Sequence, residues 1–132
     1  MISYCRDYKY QIAKDYLVQT RIYPAHLIQS PWVDLSADGM LLIKKGFASD
    51  GPSGIAVDTK KFLRGAFIHD AFYYLIRQGK LGFPYRKAAD KELRRIILED
   101  GMSRVRAWYI YKAVRWFGKS AAEDKKKIYT AP

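Results

Sequence analysis

Hydrophobic positions change their period near residue 58, and the change divides the chain into two kinds of structure. Before it, β-branched and aromatic residues alternate loosely over residues 8–23, with Leu17, Val18, Thr20 and Ile22 leading to Pro24. A period near two predicts one or two short strands ending at the proline. The segments 32–35 and 40–45 flank Ser36-Ala37-Asp38-Gly39, whose Asp-Gly pair offers the positive φ of a tight turn, so a β-hairpin is expected there. Residues 46–54 hold three glycines, a proline and a carboxylate, and are expected to form an irregular loop rich in free carbonyls and amides.

Beyond residue 58 the period lengthens to that of a helix. Asp58 or Thr59 can cap a first helix that runs through Gln78 and closes at Gly79. Phe83-Pro84-Tyr85 opens a second, running to about Asp100 and stopped by Gly101. Its apolar stripe is Ala89, Leu93, Ile96 and Ile97, and Asp90 borders that stripe where a solvated face would more naturally carry a carboxylate. A third helix, from about Ser103 to Phe117, is stopped by Gly118 and mixes Trp108, Tyr109, Tyr111, Trp116 and Phe117 with Arg and Lys. The expected fold is α+β: one domain over residues 1–118, β-rich in its N-terminal half and followed by three helices. Residues 119–132 are expected to form a basic, mobile tail.

Composition narrows the function classes. A chain of 132 residues that is 49% hydrophobic can bury a real core. Cys5 is the only cysteine, which excludes an intrachain disulfide or a thiolate-rich zinc site. No apolar run reaches the ~18 residues of a membrane span, and the first residues lack the apolar region of a signal peptide, so synthesis and folding in a cytoplasm are expected. Twenty-four basic residues against thirteen acidic ones give a net charge of +11, which favours nucleic acid, anionic lipid or an acidic cell-wall polymer as partner. From Gly101 onward eight cations face two acids, so Arg104, Arg106 and Lys112, with Trp108, are the expected contact surface. No recognised nucleic-acid motif accompanies the charge, which places nucleic acid behind lipid.

Candidate chemistry centres on His69-Asp70, which interrupts an otherwise apolar run from Gly65 to Tyr74. Burying an unpaired polar group costs roughly 1–3 kcal/mol and a lone charge far more, so both side chains must hold partners, a metal or a substrate. On a helix His69, Tyr73 and Ile76 share a face, with Asp70 one step round. Hydrolysis of an ester by water needs a base, a group that holds the base's tautomer, and a positive centre for the developing oxyanion. His69 suits the first role and Asp90 the second, which predicts that the two meet although 21 residues apart. A metal on Asp70 suits the third. Calcium takes six to eight oxygens, so Asp50 and carbonyls of the 46–54 loop would have to join it.

Plainer readings compete. His69 can be a core histidine, with Asp70 bridged to Arg64 or Arg77, Asp90 bridged to Arg86 or Arg94, and Tyr73 a packed aromatic. A metal-dependent phosphohydrolase using His26, His69, Asp70 and Asp90 is a further possibility, distinguished by transition-metal dependence. A cell-wall hydrolase is also consistent with the charge.

At these residues the chain resembles the phospholipase A2 superfamily, particularly its small prokaryotic members. The matching positions are Asp50-Gly51-Pro52-Ser53, the His69-Asp70-Ala71-Phe72-Tyr73 helix, and Asp90, within roughly residues 46–100. The resemblance implies His69 as the water-activating base, Asp90 as its partner, Tyr73 as a support of the hydrogen-bond network, and a calcium site at Asp70, Asp50 and Gly51. It departs in lacking the disulfides of secreted members and the fuller glycine-rich calcium loop. Over the whole chain the sequence is similar to a phage and prophage family, domain of unknown function 1353. The shared motifs are Gly46-Phe47-Ala48-Ser49-Asp50-Gly51-Pro52-Ser53, His69 to Tyr73, Arg86-Lys87-Ala88-Ala89-Asp90, and Val114-Arg115-Trp116-Phe117-Gly118. Together the two resemblances imply a phage-encoded, calcium-dependent esterase at the bacterial envelope, found in the host cytoplasm or on the virion. Anionic phospholipid would be its partner. A non-enzymatic phage structural or accessory protein, binding other phage proteins, is the alternative.

Overall fold

The expected hairpin forms the centre of the β-rich half. In the computed structural model, which describes residues 2–6, 10–49 and 60–123, β4 (Val33–Leu35) and β5 (Met40–Ile43) pair antiparallel, with Leu35 opposite Leu41 and Val33 opposite Ile43. Gly39 makes the turn at φ +88°, and a Cβ there would fall 2.5 Å from the Thr20 carbonyl oxygen, so both the dihedral and the space require glycine. Further upstream lie β1 (Tyr4–Arg6), β2 (Tyr10–Ile12) and β3 (Tyr16–Gln19). The last adds to the other edge of β5, giving a sheet of order β3-β5-β4. The alternation predicted from sequence is visible in its burial: Val33, Leu35, Leu41 and Ile43 are wholly buried, while Leu17 is exposed.

A second small sheet, β1-β2-β6, corrects one expectation. Ala48–Ser49, inside the segment read as irregular, forms β6 against β2. Phe47 is the reason: its ring is buried, and its carbonyl accepts from Ile12 N–H at 2.9 Å while Gly46 N–H donates to Ile12 O at 2.8 Å. An anchored aromatic and an open strand edge outweigh the flexibility of the glycines. Residues 50–59, including the expected cap at Asp58 or Thr59, lie outside the described residues.

The three helices begin and end close to their sequence signals. α1 (Lys60–Arg77) gives way to Gly79 at φ +71°, and α2 (Tyr85–Glu99) to Gly101 at φ +99°. α3 (Arg104–Phe117) is capped by Ser103, whose hydroxyl accepts from Arg106 N–H. The segment expected to be a tail begins instead with a helical turn, α4 (Lys119–Ala122). Ala122 is buried, and Arg77 Nη1 donates to Ala121 O at 2.9 Å, so these residues pack as part of the domain. Residues 124–132 lie outside the described part.

α1 runs through the middle and is buried on nearly every side. One face, with Phe67, Ile68, Phe72 and Leu75, joins the sheet core of Ile12, Val33, Leu35, Leu41 and Ile43. Another, with Phe62 and Ala66, packs on Leu93 and Ile97 of α2 and Ile110 of α3. His69 and Tyr73 are carried into this interior by that double packing. Among the described residues no helix is long and apolar enough to cross a membrane.

Candidate functional site

Asp90, on the first turns of α2, is completely buried, and its carboxylate meets side chains from both of the other long helices, α1 and α3. His69 and Tyr73, one turn apart on α1, both reach the same oxygen: His69 Nε2 and Tyr73 OH each lie 2.6 Å from Asp90 Oδ1. Arg115 of α3 takes the other oxygen, with Nη1 to Oδ2 at 2.7 Å. The sequence expectation that His69 and Asp90 meet is therefore matched in distance. The imidazole also lies against the Tyr73 ring, with centroids 4.1 Å apart.

Electrostatics favour the ionised carboxylate. Burial pushes Asp90 upward, but hydrogen bonds from His69, Tyr73 and Arg115 overcome it and hold the group below its ordinary value. For His69 burial pulls downward, and Asp70 and Asp90 on either side outweigh it, leaving the imidazole above its ordinary value. Tyr73 is pushed well above the usual range by burial and by Asp90, so it stays a phenol that donates to the carboxylate.

Asp70 stands on the far side of the imidazole. Its Oδ1 lies 3.9 Å from His69 Nδ1, too far for a direct hydrogen bond and a spacing that one water bridges. Its Oδ2 accepts from the Ser49 hydroxyl at the end of β6. A cleft of about 50 Å³ opens beside His69, Asp70 and Tyr73, walled by Phe62, Leu93, Val114 and Phe117. An ionised Asp90 places the imidazole proton on Nε2 and leaves the lone pair of Nδ1 on the side of Asp70. The group can then take a proton from water at Nδ1 while Asp90 stabilises the imidazolium that results.

His69, Tyr73, Asp90 and Asp70 converge, while Asp50 and Gly51 lie outside the described residues. Asp70 offers a hard oxygen of the kind calcium prefers, but among the described residues no group of three or more His, Cys, Asp or Glu forms a metal site. His26 is exposed and does not line the cleft. Arg104, Arg106, Lys112 and Trp108 are exposed on α3, where Lys112 Nζ lies 5.8 Å from the Trp108 ring centre.

The simple ion pairs expected as alternatives do not form. Arg64 binds Tyr16 and Asp100, and Arg77 binds a carbonyl of α4, so neither pairs with Asp70. Arg94 lies over the Tyr111 ring. Arg86 sits one turn before Asp90 yet turns to Tyr73 OH at 3.2 Å and to the carbonyls of Val114 and Arg115 at 2.9 and 2.7 Å. Sequence reasoning missed the roles of Arg86, Arg115 and Ser49. Arg86 alone had a local signal, its place one turn before Asp90, whereas the contacts of Arg115 and Ser49 are made only by tertiary packing.

Gly118 explains the end of the last motif. A Cβ there would lie 2.8 Å from Tyr73 OH and 2.5 Å from Val114 O, so only glycine lets the chain pass the tyrosine. Gly118→Ala is expected to displace Tyr73 and cost about 1–3 kcal/mol, as overpacking does. Denaturant unfolding checks this, and an unchanged midpoint would show that the α3–α4 junction yields freely.

No protein-family model, curated protein or solved structure matches the chain.

Proposed function

We propose that the protein hydrolyses carboxylic ester bonds with a phospholipase A2-like site, His69 acting as base and Asp90 as its orienting partner. The observation that carries this reading is the shared Asp90 oxygen, which receives both His69 Nε2 and Tyr73 OH at 2.6 Å and so directs Nδ1 toward Asp70 beside an apolar cleft. Water between Nδ1 and Asp70 gives its proton to Nδ1 as its oxygen attacks the ester carbonyl carbon. The imidazolium returns that proton to the departing alcohol. Arg115 keeps the far oxygen of Asp90 paired throughout. Asp70, joined by Asp50 and Gly51, is the proposed seat of a calcium ion that would supply positive charge for the oxyanion.

Calcium is expected to raise the melting temperature of the wild type, and Asp70→Asn to weaken that response more than tenfold in affinity, about 1.4 kcal/mol. A flat melting temperature up to roughly millimolar calcium, the weak end of protein sites, would remove the ion from the reading.

Anionic phospholipid at the bacterial envelope is the proposed substrate surface, and the resemblance to a phage family supports a phage-encoded enzyme of lysis or entry. Exposed Trp108 and Tyr109 among Arg104, Arg106 and Lys112 supply the amphipathic rings and cations that such a surface attracts. Charge reversal at Arg104, Arg106 and Lys112 should weaken binding to anionic vesicles, most at low salt, and leave hydrolysis of a soluble short-chain ester nearly intact. Loss of both activities together would mean that these residues maintain the fold.

The test of the whole reading is release of fatty acid from anionic vesicles by the wild type and its absence in His69→Ala. A second reading, a non-enzymatic phage accessory protein, is favoured by one observation: every oxygen of Asp90 is satisfied, as in a network that fixes helix packing. Wild-type protein that hydrolyses neither vesicles nor soluble esters would leave that reading standing.

A further inference from the structure

A second place in the molecule gathers positive charge around open space. A hollow of about 440 Å³ lies between the segment leaving β3 and one face of α2, with Arg21, Lys91, Arg94 and Arg95 around it and Glu92 as its one carboxylate. Glu92 is buried and fully used. Arg95 holds it with two parallel bonds, Nε to Oε1 at 2.9 Å and Nη2 to Oε2 at 2.8 Å, and Arg21 N–H adds a third at 3.2 Å. Arg95 is occupied further by Glu99. That pair cancels in charge and pins the floor of the hollow to both elements.

The remaining cations have no such partner. The side chains of Arg21 and Lys91 make no ion pair with any described residue, and Arg94 Cζ lies over the Tyr111 ring, 4.4 Å from its centre. A cation–π contact leaves the charge of the guanidinium without an anionic partner. Three uncompensated cations around one hollow repel each other in the free protein, and an anion seated among them relieves that repulsion. Planar guanidinium forks match the paired oxygens of phosphate, and an ammonium adds a point charge. Ala88 and Leu98 border the same space and offer apolar contact to whatever carries the anion.

We propose that this hollow binds the phosphate group of a small organic phosphate ester, with Arg21, Lys91 and Arg94 as its ligands. The site is separate from His69 and does not depend on the hydrolase reading. The full chain, isotopically labelled, is titrated with inorganic phosphate and in parallel with glycerol phosphate, which separates the free anion from a lipid-headgroup fragment. Saturable shifts confined to residues around Arg21, Lys91 and Arg94 are expected, with glycerol phosphate the tighter of the two. Charge-assisted hydrogen bonds contribute more than neutral ones, so Arg21→Gln with Lys91→Gln should weaken binding at least tenfold, about 1.4 kcal/mol. Both side chains are exposed, and the fold should survive their loss. Lys14→Gln with Lys45→Gln, equal in charge removed, exposed and outside the hollow, should leave phosphate binding unchanged. Linear shifts without saturation would overturn the proposal. Equal weakening by the Lys14 and Lys45 pair would also do so, because it would reduce the binding to general attraction by net charge.

Discussion

Alanine at position 69 is expected to leave a folded protein whose ester hydrolysis has fallen by at least ~10²-fold, the lower figure for a general base. The loss should exceed that of Asp90→Asn, because asparagine removes the charge that favours the imidazolium but leaves the base itself. The pH profile carries a sign that can be checked. His69 stands above its ordinary value, with burial opposed and outweighed by Asp70 and Asp90, so its basic form fills on the alkaline side of pH ~6.5 and the rate should rise there. Stability runs the other way. A raised folded value contributes stability that is fully present below the unfolded value and lost as pH rises through the folded one. The wild type should therefore lose some stability in the range where it gains activity, and His69→Ala should not. Asp90, held below its ordinary value by His69, Tyr73 and Arg115 against burial, contributes stability above the unfolded carboxylate value that disappears as pH falls through its folded one. Initial rates on a soluble ester and melting curves over one pH series test both signs. A folded His69→Ala protein with wild-type turnover ends the esterase reading and promotes the structural one.

The parts of this site that could be read from sequence are those set by local geometry. Helix periodicity places His69 and Tyr73 on one face of α1, and Asp90 is conspicuous because a carboxylate on the border of an apolar stripe must find a donor. Glycines at 79 and 101 mark helix ends because their left-handed backbone is disfavoured for any other residue. What escaped notice depends on tertiary packing. Arg86 looked like an i, i+4 partner of Asp90, but its long side chain passes the carboxylate to reach the last carbonyls of α3, a target defined only once α3 docks. Arg115 looked like one more cation of a basic helix, and nothing local distinguishes it from Arg104 or Lys112. β6 is two residues long and owes its pairing to the anchoring of Phe47, so no alternation could announce it. The α4 turn was hidden by charge at Lys119, while burial of Ala122 decided the matter.

Arg115 supplies the second large expected effect. Its guanidinium is the sole described partner of Asp90 Oδ2, on a carboxylate with 0% of its side chain exposed. Removing one member of a buried ion pair leaves an uncompensated charge, at a cost of ~3–5 kcal/mol where the pair is fully enclosed. The arginine side chain is 27% exposed, so water enters where it stood and reduces the penalty to roughly 2 kcal/mol, nearer the cost of one unsatisfied charged group. Arg115→Met should accordingly lower the melting temperature by about 5 °C or more, whereas Arg104→Met on the exposed side of the same helix should change stability by less than ~0.5 kcal/mol. The cause is isolated by adding Asp90→Asn. With the buried charge gone, the Arg115→Met substitution should cost much less than in the wild type, giving a coupling of at least ~1 kcal/mol between the two positions. Additive losses would show that Arg115 stabilises α3 by packing alone, and that the ionisation of Asp90 rests on His69 and Tyr73.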